Sequence, residues 1–437
     1  MSFYWLLIYC GFTGFVVIQV CLLLLQSWEH RRFARSRLRG YVKAGASGRA
    51  WVFVPCKGHD LDLRTNLGRL LQQDYENYEV VFIVEDLADP ALAIIEEVRR
   101  EHFEIRSHLV VAGKAVDCGQ KVHNLRVATE DIPPTVDHLV FVDSDAQPRR
   151  EWLRCLVSRL ETGKTGAVTG YRWFIPRKPS PSNYILSAIN ARAGLLLGTW
   201  HRYPVWGGSW GIRRELFEKT EIRRRWERTL SDDLVATFAI HEQGIGVEYE
   251  PNCMVASPVD GSLLGFFEFI RRQYFIARTY SPLYWKLGLG CVTLFCVHFL
   301  VTLGWILHAG ARGRVAWLPV GALLLIQAIN VCRGLLRHSA AKAYFPEHWP
   351  RLRGPAWFDV TTEPLTAFFN WIGLVLSVFG GTIVWRGILY RVSRDGKVLS
   401  LIRTRDKAKR DREVEPVPIR VHGNASSTNP AARARAG

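Results

Sequence analysis

The chain has 437 residues, 48% of them hydrophobic and 12% aromatic, which is enough for one large domain with a sizeable core and additions. Its formal net charge of +17 lies mostly beside apolar segments, and no aromatic-basic module accompanies it, so no nucleic-acid partner is expected. The nine cysteines include no CxxC pair, so neither a disulfide framework nor a zinc site is predicted, in keeping with a reducing cytosol.

The first predicted element is a transmembrane helix over residues 1–28. Residues 2–28 contain no Asp, Glu, Lys or Arg, and a bilayer core needs about 20 apolar residues in a helix. A cleavable signal is not predicted, because a basic n-region and a small-residue cleavage site are missing. The alternative is a buried helix of a soluble domain. A basic linker follows over residues 29–49, so the positive-inside rule places the N-terminus outside and the next domain in the cytosol.

Strands and helices alternate through the predicted cytosolic domain, residues 50–262. Apolar runs predict strands over residues 50–55, 78–86, 106–113 and 138–143. Helical spacing follows each of them, over residues 62–73, 90–102, 120–130 and 149–160. Because the strands are almost uninterruptedly apolar, the pattern predicts a parallel sheet that is covered on both faces. Ligands of such sheets bind beyond the carboxyl ends of the strands.

The pattern loosens after residue 170. Residues 182–200 predict an amphipathic helix at the membrane interface, and residues 230–244 predict a helix that begins at Ser231. Between them, the glycine-rich stretch around Gly208 would let the backbone approach a ligand closely. An amphipathic interfacial segment is predicted over residues 263–286, with aromatic residues on one side and arginines on the other.

The C-terminal membrane region is predicted over residues 287–392. It contains three segments without charged residues, namely 287–311, 315–332 and 364–385. Each has a buried helix as its alternative, above all the middle one, which is short. Residues 393–437 predict a basic, disordered tail. Three crossings would leave this tail outside, against the positive-inside rule, and a re-entrant segment broken at Gly380 and Gly381 would resolve the conflict.

Three acidic positions are candidate site residues. Asp143 and Asp145 follow the fourth strand, where two oxygen ligands suit Mg²⁺ or Mn²⁺ shared with a diphosphate, although the same residues also suit a turn. Asp86 ends the second strand and either accepts hydrogen bonds from a nucleobase or ribose or caps the next helix.

A second acidic pair, Asp232 and Asp233, begins the helix after Ser231. These acids are either ordinary helix-start residues or a general base that the helix N-terminus keeps ionised. Lys121, also at a helix start, is predicted to neutralise a phosphate. His123 is predicted to be structural, because nothing pairs it with a nucleophile.

The order of these motifs resembles family 2/21-type glycosyltransferases, and among them the ceramide glucosyltransferases and bacterial hopanoid-type enzymes. The matching stretches are "VFVPCKGHD", "LQQDYENYEVVFIVEDLADPA", "GQKVHNL", "FVDSDAQP", "VWGGSWGIRRELF", "SDDLVATFAIHEQG" and "TIVWRGILYRV". The resemblance implies an α/β, Rossmann-like GT-A domain with transmembrane helices on both sides. It also implies an integral multi-pass membrane protein with a cytosolic catalytic domain.

The same resemblance implies roles for individual residues. Asp233 would be the general base, with Asp232 as its acidic neighbour. The residues implied to bind the nucleotide sugar are Pro55, Lys57, Asp86, Lys121, Asp143 and Gly208. Asp143 and Asp145 would hold the divalent metal.

The chain departs from the family pattern at two places. Some ceramide enzymes lack an aspartate at the position of Asp145, so metal dependence is expected to be clearer here. The family's (Gln/Arg)-x-x-Arg-Trp motif is degraded: Arg272 supplies a plausible catalytic arginine, but Gln273 replaces the tryptophan. This puts in doubt how the acceptor end of the cleft is closed.

The predicted function is therefore an inverting hexosyltransferase that uses UDP-glucose or UDP-N-acetylglucosamine. Its expected acceptor is the hydroxyl group of a lipid such as ceramide, another sphingolipid or a hopanoid-like molecule. One alternative is a processive polysaccharide synthase of the cellulose or hyaluronan type, which the few membrane segments and the degraded motif disfavour. Another is a catalytically silent scaffold that binds sugar nucleotides, which the retained acidic positions disfavour.

Overall fold

A seven-stranded sheet forms the centre of this computed structural model, which describes residues 3–39, 46–163, 165–200 and 202–404. The strands are β1 Ala50–Pro55, β2 Tyr78–Val84, β3 Ser107–Val111, β4 His138–Val142, β5 Ala167–Pro176, β6 Ser209–Arg213 and β7 Glu248–Val259. Their order is β3-β2-β1-β4-β6-β5-β7. Strand β6 runs antiparallel to both of its neighbours, and the other pairs are parallel.

The predicted alternation of strands and helices is confirmed over the first half of the sheet. The helices are α1 Phe3–Arg39, α2 Leu63–Leu70, α3 Ala91–Glu101, α4 Gln120–Ala128 and α5 Trp152–Thr162. Since β1, β2 and β4 are parallel, their carboxyl ends meet at one edge, where the loops carry the candidate residues. The predicted α/β class, with parallel strands at the centre of the sheet, is confirmed.

The two faces of the sheet bury separate cores. On one face, Val54 and Phe82 pack in a cluster with residues of α2, α3 and α5. On the other face, Phe141 belongs to a second cluster and stacks on Trp210 with 4.5 Å between ring centroids. Every residue of β2 and β4 is buried, which explains why these strands read as continuous apolar runs.

The second half of the domain contains, among its described residues, five helices and the strands β5 to β7. The sequence pattern did not predict these three strands. The helices are α6 Pro181–Gly194, α7 Arg214–Lys219, α8 Ile222–Arg225, α9 Asp232–Glu242 and α10 Leu263–Tyr280. The side chain of Ser231 accepts a hydrogen bond from Leu234 N, so the predicted start of α9 is confirmed. Ser262 caps α10 in the same way, through Gly265 N.

Three helices are long and apolar enough to span a membrane among the residues that the structure describes. They are α1, α11 Pro282–Gly310 and α12 Trp317–Tyr344. The predicted end of the first helix at residue 28 is wrong. Helix α1 continues through the basic residues to Arg39. A short 3-10 turn, Pro346–His348, and the helices α13 Trp349–Thr361 and α14 Glu363–Leu376 follow.

The prediction of one membrane-spanning helix over residues 364–385 is wrong. Helix α14 ends at Leu376, which makes it too short to span a bilayer unaided, and Gly380 turns with a φ of +83°. The chain then forms an antiparallel sheet of β8 Thr382–Trp385, β9 Ile388–Val392 and β10 Val398–Arg403. Within β8, Ile383 is buried against the domain, in a cluster that includes Phe275.

The third strand of this sheet also corrects the predicted tail. Residues 398–403 were expected to be disordered but pair with β9. Residues 405–437 lie outside the described part of the chain.

Candidate active site

A cavity of about 480 Å³ opens at the carboxyl edge of the parallel strands. Its wall combines the loops after β1 and β4, the start of α4, the loop before β6, the start of α9, the middle of α10 and the turn between β8 and β9. The predicted site residues that line it are Pro55, Lys57, Lys121, Asp143, Asp145, Asp232, Asp233 and Arg272. Residues far apart in sequence therefore meet in one space.

The ammonium group of Lys121 lies at the centre of the acidic residues. Its Nζ is 2.8 Å from Asp143 Oδ1 and 3.1 Å from Asp232 Oδ2, and it donates a hydrogen bond to Gly207 O at 3.2 Å. Burial alone would lower the pKa of Lys121, but the surrounding carboxylates, including Asp233, outweigh burial and raise it well above its usual value. Lys121 is therefore a fixed positive charge in the cavity.

The two aspartates after β4 have different surroundings. Burial opposes ionisation of Asp143, but Lys121 outweighs burial and holds the pKa of this carboxyl below its usual value. Burial and the charge of Asp143 raise the pKa of Asp145. Asp145 Oδ2 is 3.8 Å from Arg172 Nη1 and accepts a hydrogen bond from Ser257 at 3.4 Å.

This pair of aspartates fits a divalent cation that also takes oxygen ligands from a substrate. Asp145 Oδ1 is buried and has no hydrogen-bond partner among the described residues. A cation would satisfy this oxygen and offset the repulsion between the two carboxylates. No group of three His, Cys, Asp or Glu suited to a metal occurs in the described part of the chain, but Mg²⁺ in proteins is often bound by only one or two carboxylates together with phosphates.

The two acids at the start of α9 both line the cavity but differ in burial and partners. Asp232 is 3% exposed and faces Lys121, and burial raises its pKa to about 7 in spite of that ammonium group. Asp233 is less buried and faces the cavity. Its Oδ1 accepts hydrogen bonds from the Ser231 hydroxyl at 2.5 Å and from Leu234 N at 2.8 Å, and its Oδ2 accepts one from Gly207 N at 3.1 Å.

These contacts orient the Asp233 carboxylate. Three donors fix its plane, and Oδ2 keeps a free lone pair, since an ionised carboxylate offers about four acceptor positions. The geometry is compatible with both interpretations made from the sequence, because Asp233 supports the helix start and also presents an acceptor to the cavity, and the role of general base stays a prediction.

The two glycines before β6 allow this close packing. A Cβ atom on Gly207 would lie 2.9 Å from both Asp232 Oδ2 and Lys121 Nζ. One on Gly208 would lie 2.3 Å from the Trp206 ring and 2.6 Å from Asp143 Oδ2. Gly208, predicted to contact the donor, does not line the cavity. Its carbonyl oxygen accepts a hydrogen bond from Asp143 N at 3.4 Å.

Replacing Gly208 with alanine is expected to destabilise the protein by about 1–3 kcal/mol, the usual cost of overpacking, because the added methyl group displaces the Trp206 ring or Asp143. Thermal unfolding measures this loss. Gly68→Ala is the matched control, since its added Cβ would have only His102 Nε2 near it, at 3.8 Å. Equal stability of the two variants would contradict the packing around Gly208.

Asp86, like Gly208, is a predicted site residue that does not line the cavity. Its Oδ1 accepts a hydrogen bond from Ala88 N at 2.6 Å, and its Oδ2 lies 3.7 Å from Lys114 Nζ. Asp89 accepts a hydrogen bond from Ala91 N, the first N–H of α3, at 2.9 Å. Asp86 itself closes a turn before α3 and does not cap the helix, and its contact with a nucleoside stays a prediction.

Arg272 has aromatic partners in place of the missing motif tryptophan. Its guanidinium lies 5.2 Å from the Phe269 ring centroid and 5.5 Å from that of Trp385 in the C-terminal sheet. Burial lowers the pKa of Arg272 to about 10. Trp385 thus packs on the arginine of a motif in which Gln273 replaces the tryptophan.

The cavity also contains large or charged side chains that were not predicted from the sequence. Among them are Arg172, Trp206, Trp385 and Arg386. The last two belong to "TIVWRGILYRV", which was noted as a family stretch but interpreted as the end of a membrane segment. A signal was available, because Arg-Gly between two apolar runs is compatible with a two-residue hairpin turn.

Comparison with known proteins gives a family match over most of the chain. The model described as Glycosyl transferase family 21 matches residues 12–398, a range that contains every cavity residue named above.

Two solved structures are also similar to this chain. One is the mannosyltransferase PcManGT from Pyrobaculum calidifontis in complex with GDP-Man and Mn²⁺, with 16% identity, a TM-score of 0.43, and 83% of this chain and 97% of that chain covered. The other is TarS 1–349 from S. aureus, with 14% identity, a TM-score of 0.35, and coverage of 80% and 98%. Neither bears on the roles of the cavity residues.

Proposed function

Because the chain belongs to glycosyl transferase family 21, which confirms the family expected from its motifs, we propose that it is a membrane-bound inverting glycosyltransferase. It would transfer a hexose from a nucleotide sugar, UDP-glucose or UDP-N-acetylglucosamine, to a lipid hydroxyl such as that of ceramide, another sphingolipid or a hopanoid-like lipid. The observation that carries the proposal is the meeting of Lys121, Asp143, Asp145 and Asp233 in one cavity beside apolar helices.

The donor would lie along the carboxyl edge of the sheet. Its nucleoside would lie near Pro55 and Lys57 after β1, and its diphosphate near Lys121. An ammonium group next to an anion lowers the cost of charge that develops on the leaving diphosphate. Asp143 and Asp145 would hold a divalent cation, Mg²⁺ or Mn²⁺, which when bound offsets further negative charge on that diphosphate.

Asp233 would act as the general base. The acceptor hydroxyl oxygen forms a bond to the anomeric carbon, the bond from that carbon to the diphosphate oxygen breaks, and the hydroxyl proton moves to Asp233 Oδ2. A single displacement inverts the configuration at the anomeric carbon. Asp232 is less suited to this role, because it is buried against Lys121.

The acceptor would enter between α6 and α10. Leu186, Phe266 and Phe269 give this side of the cavity an apolar wall. Leu263 and Leu264 at the start of α10 are exposed, and α10 packs against α11 and α14. An amphiphile could therefore keep its hydrocarbon in the bilayer while its hydroxyl reaches Asp233.

The proposed orientation places the catalytic domain in the cytosol. The C-terminal sheet after α12 packs on the domain that precedes α11, so the chain between them must cross the membrane an even number of times. Helices α11 and α12 provide two crossings, which returns the basic tail to the cytosol in agreement with the positive-inside rule.

This orientation predicts that protease added to the outside of intact cells leaves the tail, residues 405–437, uncut. Cleavage of the tail from outside, with a cytosolic marker protein intact, would contradict it.

Purified protein in neutral nanodiscs tests the proposed reaction. UDP release from UDP-glucose or UDP-N-acetylglucosamine should rise when a hydroxyl lipid such as ceramide is added. Release that is independent of every lipid tested would contradict a lipid acceptor.

A further inference from the structure

The turn between β8 and β9 contains an arginine in an unusual backbone conformation. Arg386 and Gly387 have φ values of +51° and +74°, which connect the two strands through a two-residue turn. Such turns favour glycine, asparagine or aspartate, since other residues rarely adopt positive φ. A residue kept in this conformation calls for a functional explanation.

The Arg386 side chain extends from the turn into the cavity. Its Nη2 forms an ion pair with Asp60, and its Nη1 donates a hydrogen bond to Lys57 O at 3.2 Å. Asp60 Oδ2 in turn accepts a hydrogen bond at 2.6 Å from Ser144, the residue between the two aspartates after β4. This chain of contacts holds the guanidinium close to Asp143 and Asp145.

Trp385, the residue before Arg386, brings the turn into contact with a second guanidinium, that of Arg272. Trp385 lies against Arg272, whose Nε is buried and has no hydrogen-bond partner among the described residues. Arg272 also forms no ion pair within 4 Å in the described part of the chain, and the carboxylates of Asp145 and Glu268 act on this buried cation only from a greater distance. Arg386 keeps 42% of its side chain exposed and can turn toward a ligand while it stays in contact with the loop after β1.

We propose that Arg386, together with Arg272, binds the diphosphate of the nucleotide-sugar donor. The C-terminal sheet would then be part of the donor site and not only a support for α10. Planar guanidinium groups recognise phosphate oxygens through paired hydrogen bonds, which suits two arginines on one side of a diphosphate and Lys121 on the other. The inference rests on the proposed function, because it takes the ligand to be a nucleoside diphosphate.

Binding of UDP and UMP to the full-length protein in phosphatidylcholine nanodiscs tests the proposal. Arg386→Ala should weaken UDP binding by about 10- to 100-fold, the range for a charge-assisted hydrogen bond. UMP lacks the second phosphate, so its affinity should change by less than about threefold if the nucleoside site is intact. Arg391→Ala, an exposed arginine of the same hairpin, is the matched control and should bind both nucleotides like the wild type.

Two results would overturn the proposal. One is an Arg386→Ala variant that binds UDP like the wild type; if only its binding to phosphatidylglycerol vesicles falls, the anion is a lipid headgroup. The other is an equal loss of UDP and UMP binding in both Arg386→Ala and Arg386→Lys, which assigns the residue to the nucleoside or to the fold. A wild-type protein that binds neither nucleotide contradicts the proposed donor instead.

Discussion

Replacing Asp233 with asparagine should lower sugar transfer by about 100- to 10,000-fold, the usual contribution of a general base. The amide keeps the size of the carboxylate but cannot accept the acceptor's proton at Oδ2. UDP binding should be unchanged, because the proposed donor contacts are made by Lys121 and the residues after β1 and β4. Single-turnover transfer measured at saturating donor separates the chemical step from binding.

The matched control for this variant is Glu242→Gln at the other end of α9. Glu242 is exposed and pairs with Arg225 outside the cavity, so its variant should transfer sugar normally. Near-normal transfer by Asp233→Asn would remove the base assignment, and Asp232→Asn would then be the next variant to test.

Removal of divalent cations should lower transfer by about 100-fold, and Asp145→Asn should cause a similar loss that added Mg²⁺ or Mn²⁺ does not restore. The reason lies in Asp145 Oδ1, which is buried with no hydrogen-bond partner among the described residues. Activity in wild-type protein that survives exhaustive chelation would contradict the metal role of Asp145.

A stability measurement complements this test. Because the folded state raises the pKa of Asp145, the ionised carboxylate destabilises the fold, increasingly so as pH rises above the unfolded value. In EDTA at neutral pH, Asp145→Asn should therefore unfold at the same temperature as the wild type or higher. Added Mg²⁺ should stabilise the wild type more than the variant. A less stable variant in EDTA would contradict a net cost of the ionised Asp145 carboxylate in the folded state.

The sequence pattern predicted the fold best where burial alone determines which residues can occur. Strands β1, β2 and β4 are buried on both faces, so they appear as continuous apolar runs with turn residues after them. The glycine-rich stretch containing β6 was noted for its backbone, and the strand there was not predicted. The C-terminal sheet was misinterpreted because a charge-free stretch of 22 residues, 364–385, also suits a membrane helix.

The site was predictable to the extent that short motifs mark it. Asp143, Asp145 and Asp233 stand at strand or helix ends, where topology brings them together. Arg386 could not be located in this way, because its position depends on a hairpin that follows two long helices and returns to the domain. Asp86 also stands at a strand end; its side chain closes the adjacent turn, and its predicted contact with a nucleoside stays a prediction.

Mass spectrometry of lipids from cells that express the protein decides whether it transfers a sugar to a lipid. We expect lipids heavier by one hexose or one N-acetylhexosamine, formed by the wild type and absent with Asp233→Asn. A long water-soluble polymer would indicate the processive alternative. No new glycolipid, despite nucleotide binding by the same preparation, would indicate a silent scaffold, and either result would contradict a lipid glycosyltransferase.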